Sequence, residues 1–121
     1  LVVPDDMPRA LGYGPWVEQV WTNYITNAVK YGGRPPEIVI GWQWAAGDLV
    51  RYMVRDNGRG LADHERAVVF NEFTRLNHIE THGHGLGLAI VKRVVTRMRG
   101  SVGLDSSPGG GSTFYFCLPA A

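Results

Sequence analysis

At 121 residues, 45% of them apolar, the chain has the size of one ordinary domain and the material for a single hydrophobic core. No apolar run nears the ~20 residues that a bilayer span needs, and no basic-apolar-small leader opens the chain, so no membrane contact is expected of it. The net charge of +1 comes from mixed signs without a basic block, which argues against a nucleic-acid partner.

The first residues, Leu1-Val2-Val3 before the turn Pro4-Asp5-Asp6, read as the end of a strand that has nothing preceding it to pair with. A piece of a longer protein is therefore expected. From Pro15 to Tyr31, apolar residues at 17, 20, 21, 24, 25 and 28 keep the spacing of an amphipathic helix, with proline in its first turn and Gly32-Gly33 at its end. Ile38–Trp44 and Leu49–Arg55 alternate as two strands around the turn Ala45-Ala46-Gly47-Asp48. Asp63 is placed to cap a short helix over 64–70. The stretch 71–84 has no sustained period and reads as a loop. Leu86–Met98 is a second helix, with 86, 90, 91, 94, 95 and 98 on one side and Gly100 ending it. Ser101–Asp105 and Ser112–Leu118 are two further strands around Ser107-Pro108-Gly109-Gly110-Gly111. Lone Cys117 lies in the run Phe114–Leu118, where core packing is its ordinary fate. Helices set between hairpins favour an α/β (α+β) two-layer sandwich. The expected sheet is mixed but mostly antiparallel, of about five strands, with about three helices on one face.

Three motifs carry chemistry. Asn23 and Asn27 are four apart on the first helix and share a face. Amide oxygens are hard ligands that suit Mg²⁺, and Lys30, followed by Tyr31, can neutralise phosphate charge one turn on. Taken alone, the pair equally describes the solvated face of a helix. Asp56-Asn57-Gly58-Arg59-Gly60 follows a strand directly. A carboxylate buried there can accept a hydrogen bond from the exocyclic amine of adenine and would repel the guanine carbonyl. Gly58 and Gly60 let backbone approach the base, although an Asx-Gly turn is also common in its own right. Gly83-His84-Gly85-Leu86-Gly87-Leu88 opens the second helix, where amide groups and the helix N-terminus favour phosphate. It lacks the preceding strand of a dinucleotide fingerprint and the Gly-Lys-Ser/Thr of a Walker loop.

In this order the three motifs resemble the N, G1 and G2 boxes of the catalytic, ATP-binding domain of sensor histidine kinases. The resemblance runs from Pro15 to Leu118 and includes the string Ala89-Ile90-Val91-Lys92. Phe70-Asn71-Glu72-Phe73 is similar to the F box that hinges the ATP lid, with Arg75 a candidate to reach the γ-phosphate. Gly109–Thr113 resembles a weaker third glycine box, which puts Thr113 beside Asp56. The resemblance implies the Bergerat fold, ATP and Mg²⁺ as ligands, Asn27 as the metal ligand with Asn23 as a possible second, and Leu61 and Leu88 flanking the nucleotide. Asn23, Asn27, Lys30 and Arg75 would carry the catalytic role. His84 stands where the family often has a small hydroxyl residue, which puts the usual affinity in question.

Within the superfamily, hydrolases carry a glutamate one turn before the magnesium asparagine to activate water. Asn23 occupies that position, and an amide takes no proton, so slow hydrolysis is expected. The phosphoryl acceptor of the family is a histidine on a separate helical dimerisation domain, which then supplies a response regulator receiver domain. His64-Glu65 begins like an acceptor motif, but Val69 breaks it. The chain is therefore expected to be one ATP-binding catalytic domain that does not autophosphorylate alone. A cytoplasmic site is expected for it, whether or not the parent is anchored. The competing readings are a degenerate nucleotide-binding or docking module, which His84 and the tryptophans favour, and a Bergerat ATPase. His78, His82, His84 and Glu80 fit no established zinc spacing. Trp42 and Trp44 share one face of a strand, as core residues or as an exposed docking patch.

Overall fold

The computed structural model describes residues 1, 3–70, 84–106 and 109–121. The elements run α1 (Gly14–Tyr31), β1 (Ile38–Ala45), β2 (Leu49–Asp56), α2 (Asp63–Val68), α3 (His84–Arg97), β3 (Ser101–Ser106) and β4 (Ser112–Pro119). The described strands form one four-stranded sheet in the order β1-β2-β4-β3, every pair antiparallel. The described sheet is antiparallel throughout, in keeping with the mostly antiparallel sheet expected, with four described strands against about five. Leu1 and Val3 are not in a strand. The N-terminal segment is tied to the sheet further on, by an Ala10–Ala120 bridge and by Tyr52 Oη donating to the Pro8 carbonyl at 2.6 Å.

Both long helices lie on one face of the sheet. On α1, Val20, Tyr24, Asn27 and Ala28 are buried, so the predicted stripe is realised and carries Asn27 inward with it. The even-numbered residues of β2 and β4 meet that stripe, as period two requires: Val50, Tyr52, Val54 and Asp56 face Leu118, Phe116, Phe114 and Ser112. Phe116 is wholly buried between Trp21 and Tyr52, with ring centroids at 5.1 and 5.2 Å. Tyr24, also wholly buried, stacks against Phe114 at 5.5 Å and donates its hydroxyl to the Tyr115 carbonyl at 2.9 Å. These contacts set the height of α1 above β4, and with it the position of Asn27.

On the helix-free face, the Arg51 guanidinium lies 4.2 Å from the Tyr115 ring centroid. The Tyr115 ring in turn covers Gly103, where a Cβ would sit 2.3 Å from its hydroxyl. Cys117 is buried on the same face, at 3% exposure, in keeping with a packing role. The tryptophan pair divides: Trp42 packs partly against the core, and Trp44, 60% exposed, meets it edge-on at 5.7 Å. Asp63 is not the cap of α2. Ala62 holds that position, and Asp63 is inside the first turn, paired with Arg66. The methyl of Ala62 offers no acceptor, so the turn is closed by Glu65, whose carboxylate accepts the Ala62 N–H at 3.0 Å.

Phe116→Ala removes the ring that three other aromatics share. A loss of roughly 3–5 kcal/mol is expected, read as a lowered urea midpoint with little change in slope.

Candidate functional site

A small cavity, partly open to solvent, lies between the end of α1 and the end of β2. Asn27, Tyr31, Asp56, Arg59, Gly60, Leu61, Ser112 and Phe114 line it. Asn27, Tyr31, Asp56, Gly60 and Leu61 were all expected from the sequence. They come from two segments, the end of α1 and the end of β2 with the turn after it, and β4 supplies Ser112 and Phe114.

Asp56 terminates β2 and is 7% exposed. Its Oδ1 accepts the Gly58 N–H at 2.8 Å, and the Ser112 backbone N–H donates to the same carboxylate. Burial pushes its pKa up, and these two hydrogen bonds only partly offset that. Gly58 is fixed by space: a Cβ there would lie 2.1 Å from the Tyr31 carbonyl oxygen, at the last residue of α1. Gly60 and Gly111 have φ of 72° and 74°, the left-handed region that glycine occupies without strain. At Gly111 a Cβ would also lie 2.3 Å from the Asp56 carbonyl oxygen. The β3–β4 turn is thus pressed onto the acidic turn.

The hydroxyl beside Asp56 belongs to Ser112 and not to Thr113. The register pairs Asp56 with Ser112 and Arg55 with Thr113, so Thr113 points to the opposite face of the sheet. The alternation Ser112, Phe114, Phe116, Leu118 in the sequence carried that information. Ser106 completes the arrangement: its Oγ accepts the Leu61 N–H at 2.7 Å, lies 3.0 Å from the Gly111 carbonyl and 2.8 Å from Ser112 Oγ. Leu61 is thereby held as one wall, and it is 6% exposed. Arg59 forms a bidentate pair with Glu65 at 3.2 and 3.0 Å. That pair, with the Ala62 N–H, holds the Glu65 carboxyl down at about 2. Neither Ser106 nor the Arg59–Glu65 pair was singled out in the sequence.

Asn27 is 4% exposed, and among the described residues none hydrogen-bonds its side-chain amide. A buried amide left open to a cavity is suited to a ligand, and its oxygen suits Mg²⁺. Asn23 is different. It is half-buried, does not line the cavity, and returns its Nδ2 to the Gln19 carbonyl at 2.8 Å. Lys30 is exposed in the last turn of α1, with its ammonium 6.0 Å from the Tyr31 ring centroid. Phe70 does not line the cavity but packs against Phe114, which does, at 6.2 Å, and Leu88 is a core residue at 1% exposure. The helix that the G2 string opens begins at His84, two residues before the expected start, and includes Gly85, Leu86 and Gly87 in its first turn. Phe73, Arg75, His78, Glu80, His82, Gly83 and the turn residues Ser107 and Pro108 lie outside the described residues, as does the His84 side chain.

A model of the histidine kinase-, DNA gyrase B-, and HSP90-like ATPase family matches residues 12–121. The chain belongs to that family. Its relatives are histidine kinases. It is 31% identical over 118 residues to the adaptive-response sensory kinase SasA of Synechocystis, covering 97% of this chain and 31% of that protein. Among solved structures, the mycobacterial sensor histidine kinase MprB superposes with a TM-score of 0.84 at 25% identity, over 98% of this chain and 82% of that one. Full-length ShkA in complex with AMPPNP gives 0.80 at 34% identity, over 99% of this chain and 25% of that one. The fold is therefore the Bergerat fold of histidine kinase catalytic domains, and the chain spans about a third of the SasA length.

The two carboxyls at this site respond oppositely to pH. Asp56 has a raised folded pKa, so its contribution to stability is greatest at low pH and is lost as pH rises through the raised value. Asp56→Asn at neutral pH is accordingly expected to leave the urea midpoint unchanged or higher. Glu65 has a depressed folded pKa, so its contribution is present above its ordinary 4.5 and lost as pH falls towards about 2. Because its partner Arg59 is well exposed, Glu65→Gln should cost at most about 1 kcal/mol at neutral pH, and nothing at the acid end. Urea unfolding across that range measures both.

Proposed function

We propose that this chain binds Mg-ATP in the cavity between α1 and β2 and presents the γ-phosphoryl group to a histidine on a separate helical domain. A response regulator receiver domain would then take the phosphoryl group from that histidine. The observation that carries the reading is a single one: the side-chain amide of Asn27 and the buried carboxylate of Asp56 open onto one cavity. The AMPPNP bound by ShkA, 34% identical to this chain, supports it.

Each residue has a chemical part. The Asp56 carboxylate accepts the exocyclic amine of adenine, with its geometry fixed by the Gly58 and Ser112 N–H groups. Leu61 and Phe114 supply apolar walls for the base. The Asn27 amide oxygen is the protein ligand for Mg²⁺, with Asn23 oxygen on the same helix as a second candidate. Bound Mg²⁺ would neutralise charge on the phosphates. Lys30, one turn along the face from Asn27, adds a positive charge at the phosphate end. Arg75 is proposed to reach the γ-phosphate, and the amide groups of the glycine string from Gly83 to contact the phosphates.

Calorimetric titration tests the reading directly. The wild-type chain is expected to bind ATP more tightly with Mg²⁺ than without it. Asn27→Ala should abolish the Mg²⁺ effect, and Asp56→Asn should weaken ATP at least about tenfold while the protein stays folded. An Asp56→Asn variant that kept wild-type affinity would refute the adenine assignment. With γ-labelled ATP the chain alone should acquire no label. Added helical domain bearing the acceptor histidine should become labelled.

A further inference from the structure

Asn57 lies between the adenine carboxylate and the rest of the acidic turn, yet its side chain faces away from the cavity. Its Oδ1 accepts the Gly33 N–H at 2.7 Å and the Glu37 N–H at 2.9 Å, and its Nδ2 donates to the Pro35 carbonyl and the Glu37 carboxylate, both at 3.2 Å, so all four hydrogen bonds reach the segment that links α1 to β1. The contact is close enough to dictate its neighbours. At Gly33 a Cβ would sit 2.6 Å from Asn57 Nδ2, and at Gly58 one would sit 2.1 Å from the Tyr31 carbonyl oxygen. An aspartate could keep the two accepted bonds but not the two donated ones.

Resting on the nucleotide reading above, we propose that Asn57 is a positioning residue that sets the metal and phosphate end of the site relative to its adenine end. Asp56 reads the base from the end of β2, whereas Asn27, Lys30 and Tyr31 belong to the last turns of α1. The two groups meet where the Tyr31 carbonyl abuts Gly58. Asn57 ties the segment after α1 to the residue next to Asp56, so one side chain adds a specific tether between the two ends to that backbone contact. Loss of the clamp leaves each end intact and mispositions one against the other. A ligand that spans both ends is then penalised, and a ligand that uses only one is not.

The test compares Mg-ATP with adenosine, each titrated into the whole chain, for wild type, Asn57→Asp, Glu37→Gln and the double variant. In Asn57→Asp a carboxylate faces the Glu37 carboxylate and the Pro35 carbonyl. Mg-ATP affinity is expected to fall about tenfold, and adenosine affinity to stay within about twofold. Glu37→Gln alone keeps an acceptor for Asn57 and should resemble wild type. In the double variant the glutamine amide donates back to the new carboxylate, and a substantial part of the Mg-ATP loss should be recovered. Equal losses for both ligands, or no recovery in the double variant, would overturn the assignment and leave Asn57 a purely structural residue. Unchanged Mg-ATP affinity in Asn57→Asp would overturn it too. Wild-type protein that failed to bind Mg-ATP would instead refute the nucleotide reading itself.

Discussion

The site depends on one junction, where the C-terminus of α1 abuts the turn that follows β2. No side chain fits at Gly58 because the Tyr31 carbonyl occupies the space, and none fits at Gly33 because Asn57 does. Backbone packed this closely has few alternative positions. The junction fixes Asn27 and Asp56 relative to each other without either touching the other. Everything further out is support: Tyr24 and Phe116 hold α1 at its height, and Ser106 holds Leu61 and Ser112 at theirs.

The same junction explains why a costly group is retained. A carboxylate at 7% exposure with no cationic partner among its described contacts is destabilising, and its raised pKa expresses that cost. Two backbone N–H groups reduce the cost and do not remove it. They aim the charge, since an acceptor fixed by two donors has its remaining lone pairs pointing into the cavity. The Asn27 amide, with no hydrogen bond to a described residue, opens onto the same cavity. Both face one space, which is the pattern of a site organised for a ligand and not for stability.

Much of this was legible in the sequence. The stripe on α1, both hairpins and α3 follow from periodicity, whereas Asn27, Asp56 and Gly60 were singled out as candidates by the family resemblance, and all three line one cavity. Thr113 was misplaced because the glycine-rich string draws attention to the wrong hydroxyl. Strand alternation from Phe114 and Phe116 assigns the inward face to Ser112 instead. Gly32 ends α1 for a different reason than the pattern suggests. Its φ is −70°, so no left-handed cap is made, and a Cβ would collide with the Ala28 carbonyl at 2.3 Å. Asn57 was hidden for a physical reason: its partners lie 20 to 24 residues away, and three of its four bonds go to backbone, which leaves no sequence pattern.

The position of Asn23 bears on what the bound phosphoryl group would meet. Its amide is engaged with the Gln19 carbonyl on its own helix, and it cannot take a proton from water. Among the described residues that line the cavity, Asp56 is the one carboxylate. It stands at the end of β2, held by two N–H groups. A water molecule near the phosphate end would therefore find no base there among these residues. As proposed, a site that holds ATP yet leaves water unactivated would keep the phosphoryl group for an acceptor that brings its own nucleophile. On the reading proposed above, that nucleophile is an imidazole, whose nitrogen attacks from outside this chain.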